Sequence, residues 1–228
     1  MTLKLGIDDA GRGPVIGPMA LAGVLIDEKI EALFKQLDVK DSKKVLPKKR
    51  KILEQEIKNH SISFDIQLTY PEELDSRMLS GTNLNKIEAI KAARIIDNIM
   101  DPISKEFPNE IVYVVIDCPS PNTESWKSHL MEQITYKENI QVSCEHKADV
   151  NHISAAAASI LAKEARESEL EKIKKRIGRD FGSGYQTDPV TTKFLEEYSH
   201  EHINDGIIRT TWQTWKDTVT KKEQKKLF

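Results

Sequence analysis

The strongest constraint on how this chain folds is the run Ile111-Val-Tyr-Val-Val-Ile116, which is nearly all β-branched and ends in Asp117. Branching at Cβ favours extended backbone, and an apolar run without polar alternation marks a strand covered on both faces. Two further apolar runs, Leu3–Asp8 and Met19–Ile26, flank the glycine- and proline-rich stretch Gly11-Arg-Gly-Pro-Val-Ile-Gly-Pro18 and predict strand, turn, strand. Ile62–Leu68 alternates as a half-buried strand does, and Ile140–Cys144 predicts another.

Between these strands the apolar spacing is helical. Ile30, Leu33, Phe34 and Leu37, then Leu46, Ile52, Leu53 and Ile57, predict two helices broken around Asp41-Ser42. Asn83–Met100 and Val150–Ile177 predict long helices, and the chain from Asp188 is helical and increasingly polar. Strands interleaved with helices place the chain in the α/β class, with a mixed sheet flanked by helices and a small C-terminal helical appendage. The expected division is a main domain over 1–185, the appendage over 186–220 and a basic tail over 221–228.

Composition narrows the function classes. With 34 basic against 36 acidic side chains, the net charge of −2 argues against coating nucleic acid by bulk charge. No apolar run approaches the ~20 residues of a membrane span, and the first residues lack the pattern of a signal peptide, so a cytoplasmic protein without membrane contact is expected. Cys118 and Cys144 are too few for a disulfide framework and have no metal-site spacing.

The acids carry the chemistry. Asp8 and Asp9 close the first strand, Asp117 closes the β-branched strand, and Asp149 stands where a strand gives way to a helix. Any one of them fits a turn or, for Asp149, a helix cap. In an open α/β sheet, however, ligands gather at the carboxyl ends of strands, so acids distant in sequence converge there. Converging carboxylates repel, and a divalent cation removes that repulsion. Oxygen ligands suit Mg²⁺ or Mn²⁺, and two such ions about 4 Å apart catalyse phosphodiester cleavage. Gly11-Arg12-Gly13 lacks the full pattern of a nucleotide-binding loop; its glycines serve either close approach to a ligand or a tight turn.

Five motifs in order, Gly6-Ile-Asp-Asp-Ala-Gly-Arg-Gly-Pro14, Asp41-Ser-Lys-Lys44, Val115-Ile-Asp117, His146-Lys-Ala-Asp149 and Gly182-Ser-Gly-Tyr185, resemble ribonuclease HII of the archaeal and eukaryotic type. Gly81-Thr-Asn-Leu-Asn85 and Arg209-Thr-Thr-Trp212 agree with it. The resemblance implies an RNase H-like sheet and an endonuclease that cleaves the RNA strand of RNA/DNA hybrids. It also implies nicking 5′ of single ribonucleotides in duplex DNA, leaving 3′-hydroxyl and 5′-phosphate ends, in ribonucleotide and RNA-primer removal. By position, Asp8, Asp9, Asp117 and Asp149 are the implied catalytic metal ligands for Mg²⁺ or Mn²⁺ in a two-metal mechanism. The second of them is usually glutamate, and Asp9 is one methylene shorter.

The same resemblance gives Gly11, Arg12, Gly13 and Tyr185 the reading of the ribose 2′-hydroxyl, and Ser42 and Lys43 a phosphate contact. The 2′-hydroxyl is the group that separates RNA from DNA, and tyrosine offers a flat face with a polar tip. Lys43, Lys44, Lys48, Lys49, Arg50 and Lys51, and again Lys172, Lys174, Lys175, Arg176 and Arg179, form basic clusters expected to position the duplex. Two rivals stand beside this reading: another RNase H-like nuclease, and a non-catalytic nucleic-acid-binding subunit whose metal site has decayed, for which Asp9 would be the first sign. Gln224-Lys-Lys-Leu227-Phe228 resembles a shortened form of the peptide by which repair proteins dock on the sliding clamp; a frayed end of a monomer is the alternative.

Overall fold

A computed structural model describes residues 2–40, 42 and 45–225, the side chains of 221–225 excepted. Lys43, Leu227, Phe228 and the Gln224 side chain therefore lie outside the described residues. Five strands form one sheet in the order β3-β2-β1-β4-β5. They are β1 (Leu3–Ala10), β2 (Met19–Ile26), β3 (Ser63–Thr69), β4 (Val112–Asp117) and β5 (Ile140–Glu145). β1 pairs antiparallel with β2 and parallel with β4, and β4 pairs parallel with β5, so the sheet is mixed, as expected.

The strand buried along its whole length is β2, all eight residues of which are buried. β4 differs from expectation: Tyr113 within its β-branched run is 46% exposed, so one face of the strand is partly open. The helices α1 (Glu28–Gln36) and α2 (Pro47–His60) fall where the spacing placed them. Asp27 caps α1 by accepting from the Ile30 N–H at 2.8 Å. α3 (Pro71–Leu79) and α5 (Thr123–Gln133) had no signal in the sequence reading. Only Trp126 and Leu130 are buried on α5, and α3 buries an aspartate, Asp75, so neither shows an apolar stripe.

α4 (Leu84–Glu106) runs past Pro102, beyond the expected end at Met100; proline costs it one ladder bond but does not stop it. The expected long helix from Val150 is broken. A short helix α6 (Ala148–Asn151) ends at His152, which is extended, and α7 (Ile153–Ile177) starts afresh. Toward the C-terminus come α8 (Pro189–Glu197) and α9 (Gln213–Lys225). Among the described residues no helix is long and apolar enough to cross a membrane.

Packing groups the chain into two compact units. One takes the stretch up to Ala10, then Ala20–Gln67 and Asn85–Ala165; the other takes Gly11–Met19, Leu68–Leu84 and the chain from Arg166 onward. The boundaries expected after residues 185 and 220 divide the chain linearly, whereas these units are assembled from separated stretches. The first unit holds the sheet. At Gly6 a Cβ would lie 2.1 Å from backbone atoms of Ser154 and Ala155, so only glycine lets the start of α7 lie directly on β1. The second unit has its own apolar core of Val15, Ile16, Phe181, Phe194, Ile207 and Ile208 among others, with the Phe181 and Phe194 rings edge to face at 5.8 Å.

Candidate active site

The first unit brings three of the four expected acids together. Asp8 lies near the end of β1, Asp117 ends its parallel neighbour β4, and Asp149 sits in α6, just beyond β5. One carboxylate oxygen from each lies within 4.8 Å of the others; Asp8 and Asp149 are 5% exposed and Asp117 is partly buried. The turn from β5 into α6 is made by Lys147 in the left-handed region, φ 61°, and the Ala148 N–H that follows donates to Asp117 Oδ1 at 3.1 Å. That bond fastens the short helix to the end of β4. His152, at its other end, lies 2.8 Å from Glu145 Oε2 and ties the break before α7 back to β5.

Burial pushes the Asp8 carboxyl well above the ordinary range, and the negative charges of Asp9 and Asp117 push it further in the same direction. The Ser159 hydroxyl and the Asp9 N–H, the latter at 2.7 Å from Asp8 Oδ1, work against that rise by hydrogen-bonding the ionised form. A donor set of carboxylate oxygens, crowded and partly desolvated, is what a hard divalent cation fits.

Asp9 is not in that group of three. Successive residues of a strand point to opposite faces, and its side chain lacks the reach of glutamate. It does border a small cavity together with Asp8, Asp117, Glu88 and Trp126. Ser42, the expected phosphate contact, is 3% exposed, and its hydroxyl lies 2.9 Å from that of Ser159, which in turn bonds Asp8. Ser159 and Glu88 were not picked out from the sequence; a serine among alanines and a glutamate on a long helix carry no local mark of their role. Nor was the inward turn of Arg50, which is 3% exposed and paired with the equally buried Glu164 instead of facing a duplex.

The second unit collects the other expected residues. A Cβ on Gly13 would lie 3.8 Å from the Tyr185 ring, and Tyr185 is 40% exposed. The Val15 N–H donates to the Gly184 carbonyl at 2.9 Å, which joins the Gly11-Arg12-Gly13 segment to the Gly182-Ser-Gly-Tyr185 loop. Arg166 supports the latter: its guanidinium donates to Ser183 O at 2.9 Å and lies 5.3 Å from the Tyr185 ring centroid. Gly184, at φ 81°, has no room for a Cβ, which would meet Ile16 O at 2.5 Å. Asp188 accepts from the Ser183 N–H and hydroxyl and from the Val190 N–H, and these bonds hold its carboxyl below the usual aspartate range. The basic cluster at the end of α7 and just beyond it is partly paired within the same unit. Lys172 pairs with Glu169, Lys174 with Asp180 and Arg179 with Glu201.

Comparison with known proteins identifies the family. The family model for ribonuclease HII matches residues 5–215. Ribonuclease HII of Pyrococcus furiosus is 40% identical over 210 residues, 92% of this chain and 88% of the relative. The crystal structure of ribonuclease H2 from Pyrococcus horikoshii superposes with a TM-score of 0.79 at 32% identity, covering 95% of this chain and 97% of that one. The chain solved as the PCNA:RNase HII complex from Archaeoglobus fulgidus gives 0.77 at 36% identity, covering 92% and 95%. Sequence and fold agree, and the chain belongs to the ribonuclease HII family, a ribonuclease H hydrolase.

Proposed function

We propose that the protein is a divalent-metal-dependent endonuclease that cleaves the RNA strand of RNA/DNA hybrids and nicks duplex DNA 5′ of a single ribonucleotide, leaving 3′-hydroxyl and 5′-phosphate ends. The observation that carries this reading is the meeting of Asp8, Asp117 and Asp149 oxygens within 4.8 Å, from the neighbouring strands β1 and β4 and the short helix α6. These three residues would hold Mg²⁺ or Mn²⁺, with Asp9 reaching through a bound water. When bound there, such ions would supply neutralisation of the carboxylates and of the charge that develops on phosphate, and activation of water. What the chain itself contributes is a fixed donor geometry: the Ala148 N–H orients Asp117, and Ser42 and Ser159 form a buried hydroxyl chain behind Asp8.

Discrimination falls to the second unit. The backbone of Gly11, Arg12 and Gly13 and the Tyr185 hydroxyl read the ribose 2′-hydroxyl, while the Tyr185 ring stacks on the neighbouring sugar. Lys43 and the exposed Lys48 and Lys51 of α2 meet phosphate. The experiment is a nicking assay on a duplex with one embedded ribonucleotide, with Mg²⁺, with Mn²⁺ and with chelator. Nicking only with metal, 5′ of the ribonucleotide, is the expected result; a protein that binds the duplex without nicking it is the rival binding subunit.

A sliding clamp is the proposed protein partner, contacted through Gln224, Leu227 and Phe228. The support is the tail motif and the Archaeoglobus relative solved with PCNA. Deleting residues 224–228 should leave nicking intact and abolish binding to the clamp.

A further inference from the structure

We propose that Arg209, fastened by Asp75, is the positioning residue that presents the Gly11-Arg12-Gly13 backbone to the ribose; the inference rests on the reading of that segment given above. Arg209 is 0% exposed, and three backbone carbonyls converge on its guanidinium. Nε donates to Gly17 O at 2.9 Å, Nη1 to Arg12 O at 2.8 Å and Nη2 to Gly11 O at 2.6 Å. Its planar group also lies 4.8 Å from the Trp212 ring centroid. Burying a cation is costly unless its donors are satisfied, so the carbonyls are held to it as firmly as it is held to them.

The consequence follows from peptide geometry. In a trans peptide the C=O and N–H point in opposite directions. With the Gly11 and Arg12 carbonyls turned onto the guanidinium, the N–H groups of Arg12 and Gly13 are turned away from it. Two successive N–H groups aimed the same way are a donor pair for an oxygen, the arrangement a backbone reader of a hydroxyl requires. Gly11 takes φ 80° in doing so, and a Cβ there would meet the Arg166 side chain at 2.2 Å.

Arg209 is itself anchored through the next two residues. Asp75, 8% exposed on α3, accepts from the Thr210 N–H at 2.6 Å and hydroxyl at 2.7 Å, and from the Thr211 N–H at 3.1 Å and hydroxyl at 2.5 Å. Both carboxylate oxygens are thus committed to holding the backbone that carries the arginine. The Arg209 N–H closes the assembly by donating to Val15 O at 2.8 Å.

The test uses the full chain, Mg²⁺ and a duplex with one embedded ribonucleotide. Wild type, Arg209→Lys, Asp75→Asn and the double variant are compared in single-turnover nicking rate, duplex affinity and thermal midpoint. Lysine keeps the charge but cannot hold three carbonyls in one plane. Arg209→Lys is expected to lose about tenfold to a hundredfold in rate, the order that misplacing a positioning group costs. Asp75→Asn should lose less. Duplex affinity should stay within about twofold, because phosphate contacts dominate it. The double variant should lose less than the product of the single losses, since both changes act through one segment.

Folded Arg209→Lys nicking at the wild-type rate, or rate and affinity falling in parallel, overturns the proposal and leaves Arg209 a merely structural residue. Should Arg209→Lys fail to fold, Asp75→Asn decides alone, and an unchanged rate in that folded variant overturns it equally. A wild-type protein that does not nick at the ribonucleotide is a different result, which removes the underlying reading as well.

Discussion

The acid site of the first unit and the glycine loops of the second are built on opposite electrostatic principles. At the acid site Asp8, Asp117 and Asp149 are brought together against their own repulsion, and burial, then the charges of Asp9 and Asp117, raise the Asp8 carboxyl. Around the glycine loops two groups are mutually satisfied: the Arg209 guanidinium meets three carbonyls, and the Asp75 carboxylate meets four donors. One region is held in an unfavourable arrangement that a cation would relieve; the other is held by its own hydrogen bonds. Under the proposed function, catalytic groups acting through a cation and recognition groups acting through backbone direction would require these two different constructions.

The comparison is broken most severely at the acids. Asp8→Asn and Asp117→Asn are each expected to lose about a thousandfold or more in nicking rate at saturating Mg²⁺, the scale at which two-metal chemistry fails without a ligand. Because each change also removes a repelling charge, the metal-free thermal midpoint should stay or rise. Near-normal nicking, or a midpoint that falls by more than a few degrees, would show that the acids are structural rather than strained ligands.

A smaller effect is expected at Tyr185. Tyr185→Phe loses one hydrogen bond, about 1 kcal/mol or fivefold. Tyr185→Ala loses stacking too, a further ~1–3 kcal/mol. Rates should fall in that order on a single ribonucleotide, with duplex affinity changing less than turnover. Full-rate nicking by Tyr185→Ala would place recognition elsewhere in the second unit.

Asp188 probes the self-satisfied character of that unit directly. Its bonds to Ser183 and Val190 favour the ionised form, so its contribution to stability is present above the ordinary aspartate value of about 4 and is lost as pH falls through the lowered folded value. Asp188→Ala should cost about 1 kcal/mol, as the loss of a helix cap does, and flatten the acid limb of the stability curve. An unaltered acid limb would mean that the loop is held without this carboxylate.

The smallest effect is expected from the α7 lysines. Lys172 and Lys174 are already paired with Glu169 and Asp180, so Lys172→Ala with Lys174→Ala should lower the slope of log affinity on log salt by less than the ~2 that two free phosphate contacts would give. A drop of that full size would show that the duplex displaces these pairs.

Much of the sheet and of the acid site was legible locally. The runs ending at Asp8 and Asp117 are strands because their residues are apolar and β-branched, and an acid at the carboxyl end of such a run has few places to go. Glycine at positions 6 and 184 is likewise local evidence of close approach, and the structure supplies what approaches: α7 in one case, the Ile16 carbonyl in the other.

What could not be read is what depends on a partner far along the chain. Arg50 stands among lysines like any solvated charge, and only Glu164 turns it inward. Asp75 looks like an ordinary acid on a short helix, and its role exists only because Thr210 and Thr211, 135 and 136 residues away, fold onto it. Sequence pattern thus determined which segments are strands and which strand ends carry acids, since propensity and periodicity act between neighbours. Tertiary structure alone decided which charges are buried, which carbonyls face Arg209 and which acids meet, because desolvation and hydrogen-bond partnership are set by whatever packs against a group, wherever it lies in the chain.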